Sequence, residues 1–240
     1  EPVPVAADLL EMMLFARKVY DEGGGTFDVT VGPLVEVWGF YRHAGHLPTS
    51  EELSQALSKV GMDKVSVDAR SRTISFKTEG VRLDFGGIGK GLALDAAVRV
   101  LKSGGVTSAI LNAGTSSIYA LGAPPGADGW TVRIRNPYNG EAWVDELKLR
   151  DESLSTSGSY EQFFEIEGRK YCHIFDPHTG MPVEGMLSAS SVAPTGMESD
   201  ALSKVFFVGG LERARAYCRA HPGIRAILVP EPADGDPKPV

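Results

Sequence analysis

Between Leu83 and Asp95 the chain reads Leu-Asp-Phe-Gly-Gly-Ile-Gly-Lys-Gly-Leu-Ala-Leu-Asp, and no other stretch constrains the fold as tightly. Val81 to Phe85 alternates apolar and polar residues, which predicts a half-buried strand. Four of the six positions from Gly86 to Gly91 are glycine, with Lys90 among them. From Leu92 to Leu101 the apolar residues take helical spacing, and Gly104-Gly105 supplies a C-terminal stop. Strand, glycine loop and helix start together bring backbone N–H groups close to an anion. Glycine permits the approach, and a helix N-terminus favours negative charge. Neither common phosphate motif is present, because Gly91 stands where a Walker A loop needs Ser or Thr and the G-x-G-x-x-G spacing is absent. Two uses stay open at this point. Gly86, Gly87, Ile88, Gly89, Lys90 and Gly91 form either a phosphate cradle or a tight turn carrying a solvated lysine.

The remaining bounds narrow the class of partner. At 240 residues, 42% of them hydrophobic, the chain can bury a sizeable core. We expect a single domain over 1–240, with a Pro-rich disordered tail at 230–240. A formal charge of −7 argues against a nucleic-acid partner, which would need a basic stripe. No apolar run has the length of a membrane-spanning helix, and no stretch reads as a signal peptide. Two cysteines, Cys172 and Cys218, are too few for a disulfide framework and are read as structural, in a strand and on a helix.

In chain order, a helix is predicted from about Ala6 to Tyr20 with Leu9, Leu10, Met13 and Leu14 on one face, broken by Gly23-Gly24-Gly25. Pro33 suits the first turn of a short helix that Asp28 or Thr30 caps. Trp38 and Tyr41 are read as core aromatics, with flavin stacking the less favoured use. Thr49-Ser50-Glu51-Glu52 has the form of a helix start, and 64–77 reads as two strands around Asp68-Ala69-Arg70-Ser71. Further strands are expected at 107–111 (buried), 130–135, 142–149 and around Leu154. Ser155 to Tyr160 is taken as a small-residue segment, followed by strands at 162–167 and 170–175. His173 and Phe175 then share one strand face, with the turn Pro177 to Gly180 beyond. A metal pair of His173 and His178 is disfavoured by the Asp-Pro between them. Met197 opens a helix that stops at Gly209-Gly210; a helix at 212–220 and a strand at 225–229 complete the chain.

Four blocks in this order resemble the FAD:protein FMN transferase family, the ApbE-like proteins. They are Phe27 to Leu34 with Trp38-Gly39-Phe40; Leu83 to Asp95; Thr156-Ser157-Gly158 with His173 to Gly180; and Asp200-Ala201-Leu202 before Phe206 to Gly210. The resemblance implies an α+β fold with antiparallel sheets flanked by helices. It implies FAD as substrate with Mg²⁺ at its pyrophosphate. The reaction it implies is transfer of FMN to a threonine hydroxyl of an acceptor flavoprotein, with AMP released.

It further implies His173 as the general base, a group whose unperturbed pKa of about 6.5 suits the task. Gly86, Gly87, Ile88, Lys90, Gly91, Asp95, Ser157, Gly158, Asp176, Thr179 and Gly180 are implied at the cofactor, with helix-surface carboxylate the competing reading of Asp95. A Gly89 backbone carbonyl and the Asp200 carboxylate are implied at the metal, hard oxygen ligands of the kind Mg²⁺ takes. The family setting is extracytoplasmic, periplasmic and often lipoprotein-anchored to the inner membrane, with any anchor outside this chain. We likewise expect a family segment that packs on the isoalloxazine ring to lie upstream of it.

Two positions depart from the family pattern. Lys204 stands where a metal-binding threonine is usual, and Gly114-Thr115-Ser116 where a Gly-Gly turn precedes a polar residue. A flavin transferase, an FAD pyrophosphatase giving FMN and AMP, and a catalytically silent FAD-binding module are the three readings the sequence leaves.

Overall fold

The computed structural model of the chain describes residues 1–231, so the tail expected from Pro230 lies outside the described residues after Glu231. Its helices are α1 (Ala7–Glu22), α2 (Gly32–Val37), α3 (Ser50–Leu57), α4 (Gly89–Ser103) and α5 (Gly196–Ala220). The strands are β1 (Val3–Pro4), β2 (Val65–Asp68), β3 (Thr73–Phe76), β4 (Ala109–Ala113), β5 (Ser117–Leu121) and β6 (Trp130–Arg135). They continue with β7 (Trp143–Leu149), β8 (Glu152–Gly158), β9 (Phe163–Ile166), β10 (Arg169–Cys172), β11 (Met186–Ala193) and β12 (Arg225–Pro230). The chain divides into two compact units, one from Glu1–Phe85 with Glu161–Glu184, the other from Gly86–Tyr160 with the chain from Gly185 on. Every strand pair in both is antiparallel, the α+β arrangement the sequence implied.

In the first unit, β1, β3 and β2 form one sheet and β9 and β10 a hairpin. Its core gathers Leu34, Trp38, Ala56, Val60, Tyr171 and Phe175. The Trp38 indole N–H donates to the Gly180 carbonyl at 2.9 Å, so the ring is a core anchor whose polar edge is satisfied. Thr49 caps α3 in a full capping box with Glu52. The α2 cap differs from expectation. Val31 precedes that helix with no side-chain cap, and Asp28 instead accepts from the Thr30 hydroxyl at 2.6 Å. Thr30 in turn accepts from the Gly61 N–H at 2.7 Å, so the pair ties two loops together. On α1, Leu10, Met12, Met13, Ala16 and Val19 are buried, whereas Leu14 is 41% exposed, so the buried face is rotated from the one expected.

The second unit is built on one sheet of order β12-β11-β8-β5-β4. Leu154, Ala120 and Val192 on one face pack against Val132, Ile134 and Leu149 of the β6–β7 ribbon. Along β8 the alternate residues Ser153, Ser155 and Ser157 face α5. Ser199 Oγ lies 2.8 Å from Ser153 Oγ and 2.9 Å from Ser155 Oγ, and Ser157 Oγ lies 2.8 Å from Ser203 Oγ. Small side chains let the helix lie close to the sheet, and hydroxyls pair across the interface, although the buried Ser117, Ser188 and Ser191 hydroxyls have no partner among the described residues.

Several expectations are corrected here. Val81 to Phe85 is not a strand. It is held by a parallel bridge between Val31 and Arg82 and by the Asp84 N–H donating to the Val29 carbonyl at 2.7 Å, too little for a ladder. The glycine loop is shorter than read, because α4 already begins at Gly89. Thr156, Ser157 and Gly158 lie inside β8. β4 is an edge strand with Ile110 43% exposed, not a buried one. β5 went unread between two turns. The expected stop at Gly209-Gly210 stands, because Gly210 (φ 66°, ψ −166°) is non-helical and breaks α5 into two helices there.

Gly91 is the tightest point of this unit. A Cβ there would lie 2.1 Å from the Gly196 carbonyl oxygen, a backbone atom that cannot swing aside. Alanine would gain about 1 kcal/mol of helix propensity over glycine. The overpacking is expected to outweigh that gain, so Gly91→Ala should lose roughly 1–3 kcal/mol in urea denaturation. An unchanged midpoint would show that α4 and α5 have room to part.

Candidate functional site

The candidate residues fall into two groups, one in each unit, and each group has its own logic. In the first unit, His173 follows β10 and continues its pairing: its N–H donates to the Gln162 carbonyl at 3.1 Å. The His173 ring Nδ1 lies 3.0 Å from the same oxygen. A carbonyl only accepts, so Nδ1 carries the proton and Nε2 is the basic nitrogen of the neutral ring. The register of the hairpin explains this, since Phe163 opposite Cys172 brings Gln162 level with His173. That oxygen was absent from the sequence reading; hairpin register was the signal that could have found it.

A cleft of about 260 Å³ opens beside these residues, lined by Gly39, Phe40, His43, Gln162, Phe163 and Phe164 among others. The Phe40 ring stands 6.4 Å from the His173 ring. Beyond His173, Asp176 organises the turn that follows. Its Oδ1 lies 2.9 Å from both the His178 N–H and His178 Nδ1, and its Oδ2 accepts from the Thr179 hydroxyl at 3.3 Å. The His178 ring lies against Gly25, where a Cβ would meet Nε2 at 2.9 Å. Asp176, Thr179 and Gly180 thus form one self-bonded turn.

In the second unit, α4 and α5 cap one another. Asp95 on α4 accepts from the Gly196 N–H at 2.6 Å and the Met197 N–H at 2.9 Å, the first turn of α5. Asp200 on α5 accepts from the Gly91 N–H in the first turn of α4 at 3.0 Å. The other helix's carboxylate therefore meets two orphan donors at the start of α5 and one, the Gly91 N–H, at the start of α4. Ile88 is fully buried ahead of α4 with no side-chain cap; Gly86 and Gly87 make the turn before it. Gly89 has open space around its Cα, so its place does not depend on lacking a side chain.

Lys204 Nζ lies 2.5 Å from Asp200 Oδ1, in a pair whose side chains are 17% and 0% exposed. This is a buried pair, not the surface pair that i, i+4 spacing alone suggests. Burial lowers the Lys204 pKa from lysine's ordinary value; Asp200 opposes that shift, and the Lys90 charge adds to it. Ser157 is turned inward to Ser203, whose hydroxyl donates to the Asp200 carbonyl at 2.7 Å. Gly158 is backed by the Tyr160 ring.

The structure thus brings Gly91, Asp95, Asp200, Lys204 and, through its charge, Lys90 together, with Ser157 joined through Ser203. Sequence reasoning missed the reciprocal capping. The signal was Thr195-Gly196-Met197-Glu198, where the Thr195 hydroxyl does accept from the Glu198 N–H at 3.2 Å.

A model of the ApbE family matches residues 1–228. An FAD:protein FMN transferase of Salmonella typhimurium is 28% identical over 240 residues, covering 98% of this chain and 68% of the relative. One of Treponema pallidum is 33% identical over 245 residues, covering 94% of this chain and 67% of the relative. Among solved structures, the ApbE protein of Thermotoga maritima superposes with a TM-score of 0.89 at 31% identity, covering 99% of this chain and 77% of that one. The flavinyl transferase ApbE of Pseudomonas stutzeri gives 0.86 at 27% identity, covering 100% and 74%.

The placement of Asp95 generates a test. Both its oxygens are engaged by backbone N–H groups, so Asp95→Ala should lower stability by about 2–4 kcal/mol in urea unfolding, as two charge-assisted bonds are lost. A variant of unchanged stability but weakened FAD binding would return Asp95 to the cofactor.

Proposed function

We propose that this chain, which belongs to the ApbE family, is an FAD:protein FMN transferase whose proton-accepting group is His173. The observation that carries the assignment of the base is the Gln162 carbonyl on His173 Nδ1, which puts the ring proton on Nδ1 and makes Nε2 the basic nitrogen. The acceptor is a flavoprotein, and we take its attacking group to be a threonine hydroxyl. That oxygen attacks the phosphorus on the FMN side of FAD as its proton passes to His173 Nε2. The bond from that phosphorus to the bridging oxygen breaks, and AMP leaves with that oxygen. An in-line displacement of this kind asks the protein for positioning and for charge stabilisation more than for covalent chemistry.

The cradle of this reading is the start of α4. Gly89 and Lys90 present first-turn N–H groups with no partner among the described residues, and the Lys90 ammonium stands close by. Positive helix-end charge and an ammonium suit a pyrophosphate. Asp176 and Thr179 shape a turn that we assign to the nucleotide, on resemblance alone. The extracytoplasmic setting and a lipid anchor outside this chain belong to the same proposal with the same support.

The Mg²⁺ that the resemblance implies does not fit this chain's donors. Asp200 Oδ2 is bonded to the Gly91 N–H and Oδ1 to the Lys204 ammonium, while the Gly89 carbonyl sits in the helix ladder of α4. No step is assigned to the metal.

Incubation with FAD and a threonine-bearing flavoprotein acceptor, followed by mass spectrometry, should show FMN added to the acceptor and AMP released. AMP and free FMN without modified acceptor would make the chain a pyrophosphatase; bound FAD without AMP would make it a silent binder. His173→Ala should lower turnover by roughly 10²–10⁴-fold. FAD affinity should be largely kept in that variant. Unchanged turnover removes His173 from the mechanism.

A further inference from the structure

We propose that Lys204 is the built-in cation of this site: its ammonium, seated on Asp200, takes the place of a divalent metal, and FAD binds without one. The proposal rests on the transferase reading only for the identity of the anion.

Three observations carry it. The first is that both oxygens of the Asp200 carboxylate already accept a hydrogen bond, one of them from a cation. One oxygen is fixed by the Gly91 N–H at 3.0 Å and the other by Lys204 at 2.5 Å. A metal at Asp200 would sit beside the Lys204 ammonium and be repelled by it. The Gly91 bond is part of the α4–α5 junction, and the Lys204 bond neutralises a carboxylate with no exposed surface.

The second is that an ammonium holds donors only and cannot ligate a cation. Lys204 is one helical turn from Asp200 and only 17% exposed, so it has little room to withdraw. Of its three N–H donors, one goes to Asp200, and no other partner occurs among the described residues. The others are available to an acceptor of the kind a phosphate oxygen offers, as charge-assisted bonds.

The third is that Lys90 is close enough to Lys204 for its charge to act on it. Lys90 directly precedes Gly91, whose N–H holds Asp200, so a dication added at Asp200 would meet the field of two ammonium groups. A phosphate anion would be drawn by both. That second lysine is the second residue of α4, so its own backbone N–H belongs to the helix's first turn.

Manganese titrated into the chain alone, with free Mn²⁺ followed by electron paramagnetic resonance, tests the metal side. The wild-type chain should take up no Mn²⁺ that Asp200→Asn abolishes. Lys204→Thr should gain uptake, and the double variant Asp200→Asn/Lys204→Thr should lose it again. Wild-type uptake that depends on Asp200 overturns the proposal, and so does a Lys204→Thr chain with no gain.

Removing the ammonium strands a buried carboxylate, so Lys204→Thr should melt lower and recover with added Mn²⁺. If that variant fails to fold, the wild-type measurements decide. FAD followed by flavin fluorescence should bind the wild-type chain in EDTA within about threefold of its affinity in millimolar Mg²⁺. A loss of about tenfold or more in EDTA overturns the proposal. Should FAD bind under neither condition, the transferase reading falls, and the Mn²⁺ titration decides this inference by itself.

Discussion

The reciprocal bonding of Asp95 and Asp200 is what the second unit depends on. Each helix begins where its own first-turn N–H groups lack partners, and each takes a carboxylate from the other for part of that need, two donors on α5 and one on α4. The arrangement requires the two helix starts to lie side by side, which in turn requires glycine at the crossing. A Cβ at Gly91 would strike the Gly196 carbonyl, and one at Gly196 would lie 2.5 Å from the Gly91 carbonyl. The glycine-rich stretch is thus first a packing device. Its capacity for anions follows from the same geometry, because helices that start together concentrate positive helix-end charge in one place.

The buried pair of Asp200 and Lys204 sits within that junction and takes its energetics from it. Two charges withdrawn from water cost several kcal/mol each, and their mutual attraction returns about as much only if the remaining polar atoms are also bonded. Asp200 meets that condition through the Gly91 N–H. The serine rows of β8 and α5 extend the same economy of small polar contacts along the sheet, where Ser199 bridges Ser153 and Ser155. Hydroxyl pairs line the contact of β8 with α5, while apolar clusters lie on both faces of the sheet, Leu94, Val98, Tyr119 and Leu121 on the helix side and Leu149, Leu154 and Val192 on the other.

Much of this was legible in the sequence and some was not, for physical reasons. α3 could be read because its cap is local, with Thr49 and Glu52 in one turn. The two strands at 65–68 and 73–76 could be read because alternation and an Asp-led turn are also local. The stretch 81–85 misled because alternation reports half-burial, whichever neighbour supplies it. β5 was passed over because Ile118 to Leu121 is apolar throughout and shows no alternation. At the site, residue identities were legible from the four blocks, but their couplings were not. Asp95 bonds across 101 and 102 positions of sequence, and no spacing rule spans that distance. Ser157 was assigned toward a cofactor, and only the fold shows its hydroxyl turned to Ser203.

The hairpin of β9 and β10 has a consequence of another kind. Its connection, Glu167-Gly168, has φ of 53° and 77°, the mirror-image turn that fits the twist of paired strands and that glycine adopts without strain. That turn fixes the register, and the register sets the Gln162 carbonyl against His173 Nδ1. A slip of one residue would turn each side chain to the opposite face and remove that carbonyl from the ring. The choice of which imidazole nitrogen is basic is therefore made by backbone handedness at a remote surface turn. A substitution at Gly168, touching nothing in the cleft, would act as a change of tautomer.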